Sequence, residues 1–459
     1  MKKIACFSIP AHGHTNPMLP VVEALVKRGN VVRFYSFDAF KEKIEKAGAT
    51  FVSCDSFMHP LTPEAERKLK NVSTTEMTVQ DIALTLSMDG FLCEEFAAFK
   101  PDIVYTDAVC FWGKLIARKH HIPLVVSTST LAFNRLSSQY MKHSPKEMAD
   151  MIFGLPKMAK ALKELHPYGY NVQNPLELVQ NDNETDTVVY TSERFQPYVK
   201  SFSDRYAFVG PSIFSKQIPQ KETKRPLIYI ALGTVINERP DFYRKCIEAL
   251  KDLDADVLIS CGTATAPAAL GPLPENITAL PYVDQPEVLA RANVFITHCG
   301  MNSVSESLYM ATPMVLFPQT GEQKAVATRV TEIGAGTLLK EASTEAILKA
   351  VLEALSTSSY ADAAAKCCED FRGCAGAEGA ADFIETAPHK SDPPDPLTRL
   401  NKAMQRFRLI YWLIALLSGI AFGLSVGWKY VWIIGLAAGV LSYPIESRFQ
   451  QKIVKKLYQ

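Results

Sequence analysis

The sequence predicts two α/β domains, each a parallel sheet with helices on both faces, followed by a pair of apolar helices. Three observations carry that prediction. Short β-branched runs alternate with amphipathic helical stretches in two successive series, parted by a polar stretch near residues 215–225. Several of those runs end in glycine- or histidine-bearing turns, where open parallel sheets place their ligands. Beyond residue 408 a long run carries no charge at all. With 459 residues, 47% of them hydrophobic, the chain can fill two such cores and have a remainder.

The first domain is expected over residues 1–212. Residues 3–9 read as its first strand, and 17–28 as a helix with Met18, Val21, Val22, Leu25 and Val26 on one face and Gly29 as its stop. Strands at 31–37, 103–106 and 124–127 follow, with an amphipathic helix over 112–118 between the last two. Two helical, polar insertions, near 57–95 and 131–182, carry Phe57, Met58, Met77, Met88, Phe91, Phe133 and Tyr140. These residues suit pocket walls, although a methionine or aromatic at helical spacing more often belongs to a core.

The second domain is expected over 222–388, with strands at 227–232, 256–261, 277–280, 294–297 and 314–317 and an alanine-rich helical stretch over 345–385. Two such series make two Rossmann-like domains facing across a cleft. The proline-rich, basic segment 389–407 reads as a linker, PHKSDPPDP being unable to continue a helix. Residues 408–459 then read as a transmembrane hairpin and basic tail. The run 409–427 is long enough to span a bilayer, the run 431–445 falls short unless its flanks reach outward, and Trp428-Lys429-Tyr430 joins them. Basic residues on both sides, Arg399, Lys402, Arg406 and Arg408 before and Arg448, Lys452, Lys455 and Lys456 after, place both ends in the cytoplasm by the positive-inside rule. Gly419, Gly423 and Gly427, and Gly435 and Gly439, offer small-residue seams within one chain or between two. A buried soluble hairpin is the alternative.

A net charge of +1, from 49 basic and 48 acidic residues with no dense basic stripe in the first 390 positions, argues against nucleic acid as a partner. The ten cysteines show no zinc-like pairing and read as reduced thiols. The start, MKKIACFSIP, enters a strand directly without the features of a signal peptide, so the soluble part is expected in the cytoplasm, at the cell membrane.

The block 298–323, HCGMNSVSESLYMATPMVLFPQTGEQ, concentrates the chemistry. A strand turns at Cys299-Gly300 into a helix whose free N–H groups and positive dipole end favour an anion such as a pyrophosphate, with His298 on the lip. Asn302 and Ser303 are expected to cap that helix, in which case Glu306 completes a capping box; a ligand role for Glu306 is the other reading. In the first domain, AHGHTNP puts His14 in the loop after the first strand, ahead of a helix capped by Asn16 and opened by Pro17. Asp107 ends another strand on the same sheet edge and can orient the imidazole as a general base. His12 reads as structural.

AHGHTNPMLP, the TDA of Thr106 to Ala108, the ALGT of Ala231 to Thr234 and the block 298–323 together resemble the UDP-glycosyltransferase superfamily, in particular its bacterial macrolide-glycosyltransferase branch. The resemblance covers residues 1 to 388. It implies the GT-B fold, a nucleotide-sugar donor in the second domain, and a hydrophobic, hydroxyl-bearing acceptor in the first. It implies that His14 deprotonates the acceptor with Asp107 behind it, and that Thr234 and His298 meet the diphosphate with Gly300, Asn302 and Ser303. Glu306 would take ribose hydroxyls, Glu322 and Gln323 the sugar, and Tyr282, Val283 and Gln285 the uracil. One position departs from the family pattern: Asp284 stands where proline is usual, which bears on uridine against thymidine. No cofactor and no strict metal requirement are expected. A nucleotide-sugar epimerase of related fold and a membrane-anchored, non-catalytic binding protein are the competing readings.

Overall fold

The structure is a computed structural model that describes every residue except 59–72, 142–143, 173, 175–177, 179–184, 214–217, 222–223, 235–236, 263–264, 390–395, 427, 429–430 and 459. Residues 390–395 of the expected linker, parts of both insertions and the knuckle at 427–430 apart from Trp428 therefore lie outside the described residues, while 398–407 of that linker are helical. Met1–Pro197 with Arg205–His389 form one compact unit, and Tyr198–Asp204 with Lys390–Gln459 form another.

The first unit holds two parallel sheets. In the first, β1 (Lys3–Phe7), β2 (Val31–Ser36), β3 (Thr50–Ser53), β4 (Ile103–Asp107), β5 (Leu124–Thr128), β6 (Asp186–Val189) and β7 (Tyr206–Phe208) lie in the order 3-2-1-4-5-6-7. Its helices are α1 (His12–Lys27), α2 (Lys41–Lys46), α3 (Thr74–Phe99), α4 (Phe111–Lys119) and α5 (Pro145–Leu165). The central β1 and β4 read as continuous apolar runs because helices cover both faces. The chain winds outward from β1 through β2 and β3, then crosses back to β4 and continues the other way. That reversal leaves a crevice at the carboxyl ends of β1 and β4, where such sheets bind ligands.

In the second sheet, β8 (Leu227–Ala231), β9 (Asp256–Ser260), β10 (Ile277–Leu280), β11 (Val294–Thr297), β12 (Met314–Leu316) and β13 (Gly336–Leu338) lie in the order 10-9-8-11-12-13, which reverses between β8 and β11. Its helices are α6 (Pro240–Leu250), α7 (Gln285–Arg291), α8 (Met301–Tyr309), α9 (Gly321–Ile333), α10 (Thr344–Ser356), α11 (Ser358–Arg372) and α12 (Gly376–Thr386). The last of these turns back to the first sheet. Ala380, Ala381 and Ile384 are buried in the same cluster as Ile4, Val21 and Leu25. Arg28, at the end of α1, meets Glu378 at 2.6 Å, Asp382 at 2.5 Å and Glu385 at 3.0 Å.

The central strands fall within two residues of their expected bounds, whereas β3, β6, β7 and β13 were not anticipated. The first helix is a correction. It begins at His12, so His14, Asn16 and Pro17 stand inside it and extended Ala11 precedes it. The first turn of a helix needs no internal donors, which lets HGHTNP wind despite its turn-like composition. Pro17 then has no N–H for the Gly13 carbonyl four residues back. That carbonyl instead accepts from Asn302 Nδ2 at 3.0 Å, a bond between the two sheets' domains.

In the second unit, α13 (Thr398–Val426) and α14 (Val431–Tyr458) run side by side. Phe407 stacks on Phe449 with ring centres 4.2 Å apart, Tyr411 donates to the Ala438 carbonyl at 2.6 Å, and Arg408 pairs with Glu446. Among the described residues one stretch, Thr398–Ser425, is long and apolar enough to cross a membrane, with a mean hydropathy of 1.9.

Candidate active site

Strand geometry brings the two first-domain residues together. His14 follows β1 and Asp107 ends β4, so both emerge at the crevice between those paired strands. His14 Nδ1 lies 2.9 Å from Asp107 Oδ2 and 3.1 Å from Ser129 Oγ. The other Asp107 oxygen accepts from the Val109 N–H at 2.9 Å, and the carboxylate is only 1% exposed. It is held rigidly against one edge of the imidazole. Burial pulls the imidazole's pKa down, but the charge and hydrogen bond of Asp107, with the charge of Glu322 behind them, leave it above the ordinary histidine value. His12 is not part of this pair and packs edge-on against Phe40.

In the second domain the turn after β11 differs from the expected one. Cys299 takes the left-handed conformation at φ 68°, and Gly300, at ordinary φ, is the N-cap of α8. Asn302 and Ser303 lie inside the helix, so the capping box with Glu306 does not form. The glycines serve another need: a Cβ at Gly233 or at Gly300 would come within 2.5 Å of His298 Nε2. The imidazole is clasped between the turn after β8 and the turn after β11. Its Nδ1 is buried without a hydrogen bond of ordinary geometry, and burial holds its pKa down to about 4 against a weaker upward pull from the Ala231 carbonyl. At neutral pH it is an uncharged donor. Thr234 is exposed beside it.

Glu306 points to Gln285 instead of the backbone. Gln285 Nε2 donates to Glu306 Oε2 at 2.6 Å and to Ser303 Oγ at 3.3 Å, while Gln285 Oε1 accepts from the Tyr229 hydroxyl at 3.2 Å. Burial raises the Glu306 carboxyl to about 7, against the Gln285 bond and with the charge of Asp284 adding to the rise. Tyr282 is 80% exposed and Val283 half-buried. Asp284 is the N-cap of α7, accepting from the Glu287 N–H at 3.2 Å. A carboxylate there does what proline cannot, which accounts for the departure at that position.

The two remaining residues separate. Gln323 is the far end of a capping box with Thr320: its side-chain oxygen accepts the N–H groups of Gln319 and Thr320 at 2.8 and 3.2 Å. Glu322 faces the first domain and accepts from Thr130 Oγ1 at 2.6 Å. Burial raises its carboxyl, opposed by Thr130 and by the charge of His14. A carboxylate, an imidazole and the N-terminus of α8, which carries no side-chain cap, thus converge from two sheets on one cleft, an arrangement fitted to activate a hydroxyl beside an anionic leaving group.

Residues 215–369 match the family of UDP-glucoronosyl and UDP-glucosyl transferases. The chain is 34% identical over 403 residues to the NDP-glycosyltransferase YjiC of Bacillus licheniformis, covering 84% of this chain and 97% of that protein. It is 31% identical to the demethyllactenocin mycarosyltransferase of Streptomyces fradiae, over 73% of this chain and 75% of the relative. The calicheamicin glycosyltransferase CalG4 superposes with a TM-score of 0.67 at 26% identity, over 85% of this chain and 100% of the other. The chain belongs to the UDP-glycosyltransferase family, in its bacterial macrolide-glycosyltransferase branch.

As a glycosyltransferase of the GT-B type it takes sugar from a nucleotide sugar, and its structure adds residues that sequence reasoning missed. Ser129 and Thr130 follow β5, and only the fold brings them to His14 and Glu322; the run STST over 127–130 gave no spacing signal. Arg239 Nη1 donates to Gln319 Oε1 at 2.7 Å, tying the loop after β8 to the loop before α9. The aromatic and methionine candidates divide. Met88 is core, Phe57, Met58 and Phe91 pack against that core, and Phe133 and Tyr140 pack against the second domain, the Tyr140 hydroxyl on Glu332 at 2.7 Å. Met77 is exposed.

Proposed function

We propose that this transferase moves a hexose, with inversion, from a UDP-sugar to a hydroxyl of a hydrophobic small-molecule or lipid acceptor. The observation that carries the reading is the meeting of His14, oriented by Asp107, with Glu322 of the opposite domain across the Thr130 bond. His14 takes the acceptor proton and Asp107 stabilises the imidazolium that forms. The alkoxide attacks the anomeric carbon in a single displacement through an oxocarbenium-like transition state. The departing diphosphate is met by the N-terminus of α8, by neutral His298 and by Thr234, with Gly300, Asn302 and Ser303 around it. Glu306 and Gln285 hold the ribose and base with Tyr282 and Val283, and Glu322 holds the sugar hydroxyls at the helix start that Gln323 caps. These groups take the developing charge, so transfer proceeds without a strict metal requirement and survives chelation.

The apolar helix α13, with α14 as its hairpin partner, anchors the enzyme at the cell membrane, its catalytic domains on the cytoplasmic side, where an acceptor partitioned into lipid would be at hand. The domains divide as 1–212 for the acceptor and 222–388 for the donor; of the segment 389–407 expected as linker, the part from Thr398 on already belongs to the first helix of the anchor. UDP release measured with and without acceptors tests the reading. Release that depends on acceptor supports transfer. Turnover of sugar nucleotide with no acceptor would instead indicate an epimerase, and binding without turnover a non-catalytic protein.

A further inference from the structure

Helix α5, in the insertion after β5, buries Met158, Ala161, Leu162 and Leu165 against α3 and α4. Its rotation is fixed by Gly154, whose position lies so close to the Thr75 side chain that a Cβ there would come within 2.0 Å of it. Met148, Ile152 and Leu155 stand four and three residues apart on another face, 54%, 60% and 52% exposed, and Phe153 beside them is 82% exposed. Within one compact unit, that is a row of large apolar side chains given to solvent, which costs free energy unless something covers it. Lys157, Lys160 and Lys163 flank the row and are exposed; Asp150 and Glu164 are acidic groups of the same helix, and Glu76 of α3 lies 3.9 Å from Lys157 in an exposed pair. Next to the lysines, Val79, Ile82 and Ala83 of α3 and Lys157, Lys160 and Glu164 of α5 line a shallow cavity of about 190 Å³.

We propose that this face of α5 is a lipid-docking surface, lying in the plane of an anionic bilayer with Met148, Ile152, Phe153 and Leu155 at the acyl boundary and the three lysines at headgroup phosphates. An apolar row edged by lysines is the pattern of an interfacial helix, whose apolar side enters the membrane by ~5–10 Å. Pro156 fits that depth: it leaves the Ile152 carbonyl without its helical donor, which interfacial water satisfies and hydrocarbon would not. The partner is chosen by charge complementarity and by the apolar helix α13 in the same chain, and in that respect it rests on the membrane reading given above.

The test uses the full chain reconstituted into nanodiscs of phosphatidylcholine with and without phosphatidylglycerol. Benzoylphenylalanine is placed in separate variants at Ile152, at Leu417 of α13 and at exposed Leu352 of α10, each checked for UDP binding to confirm folding. The expected result is a lipid adduct at Ile152 well above that at Leu352, increased by phosphatidylglycerol and lowered up to about five-fold for each of Lys157→Gln, Lys160→Gln and Lys163→Gln. Labelling at Leu417 with only background at Ile152, or adducts at Ile152 to protein alone, would overturn the docking surface and leave the anchor standing. Labelling at Ile152 but not at Leu417 would support the docking surface and remove the anchor. Background at both removes both.

Discussion

His14 and His298 both follow a strand at a point where its sheet reverses direction, both are partly buried, and their pKa values move oppositely. Burial pulls each imidazole toward the neutral form. At His14 the Asp107 carboxylate at 2.9 Å, with Glu322 beyond, more than offsets it; at His298 the neighbours are glycines and backbone, and burial wins. Under the proposed function the difference separates two jobs. A base must accept a proton and be stable once it has done so, whereas a donor to a diphosphate must keep its shape and its hydrogen without competing for protons.

The largest effect is expected from His14→Ala, which removes the base. Transfer should fall about 10²–10⁴-fold while UDP affinity, measured by calorimetry, is unchanged. Normal transfer in that variant would break the comparison outright. Asp107→Asn keeps the shape but removes the charge that lifts His14, so kcat should drop by about a hundred-fold and the acid limb of kcat/KM should move to lower pH. An acid limb that stays in place would assign the lift elsewhere. Gly300→Ala drives a Cβ into His298 at a cost of about 1–3 kcal/mol, read as a ten-fold or greater loss of UDP affinity. Asn302→Ala removes one hydrogen bond between the domains, about 1 kcal/mol, and donor KM should rise a few-fold.

The smallest effect is on stability against pH. Between pH 6.5 and about 4 the unfolded chain protonates at His298 and the folded chain does not, so stability should decline as pH falls through that window. His14 has the opposite sign: its raised pKa contributes stability below the unfolded value that is lost as pH rises through the folded one. Melting curves of His298→Gln should show a shallower acid-side decline than the parent.

What could be read from sequence follows the same physics. The central strands β1, β4, β8 and β11 are covered on both faces and spell themselves as apolar runs. β3 is half-exposed with a mixed pattern, β7 and β13 are three residues long, and β6 opens on buried Asp186, so their pairing is decided by the sheet they join. Asn16-Pro17 carries a strong helix-start signal, yet the helix starts at His12 because Asn302, 289 positions away, serves the carbonyl that Pro17 leaves open. The His14–Asp107 pair was legible because Asp107 ends β4 and His14 opens the helix that follows β1, its hydrogen-bonded neighbour. Ser129, Thr130 and the true partner of Glu306 were not, since their contacts exist only after the chain has folded.

The return of α12 to the first sheet has a consequence for synthesis. The core beneath the first sheet includes Ala380, Ala381 and Ile384, so it stays incomplete until the whole second sheet has been translated. At ~5–20 residues per second, the interval between the emergence of β7 and that of α12 is on the order of ten seconds or more. During it the second sheet can close on itself while the groove beside α1 waits, with Arg28 lacking its three carboxylates. The nascent enzyme is expected to finish its domains in the reverse of the order in which it begins them.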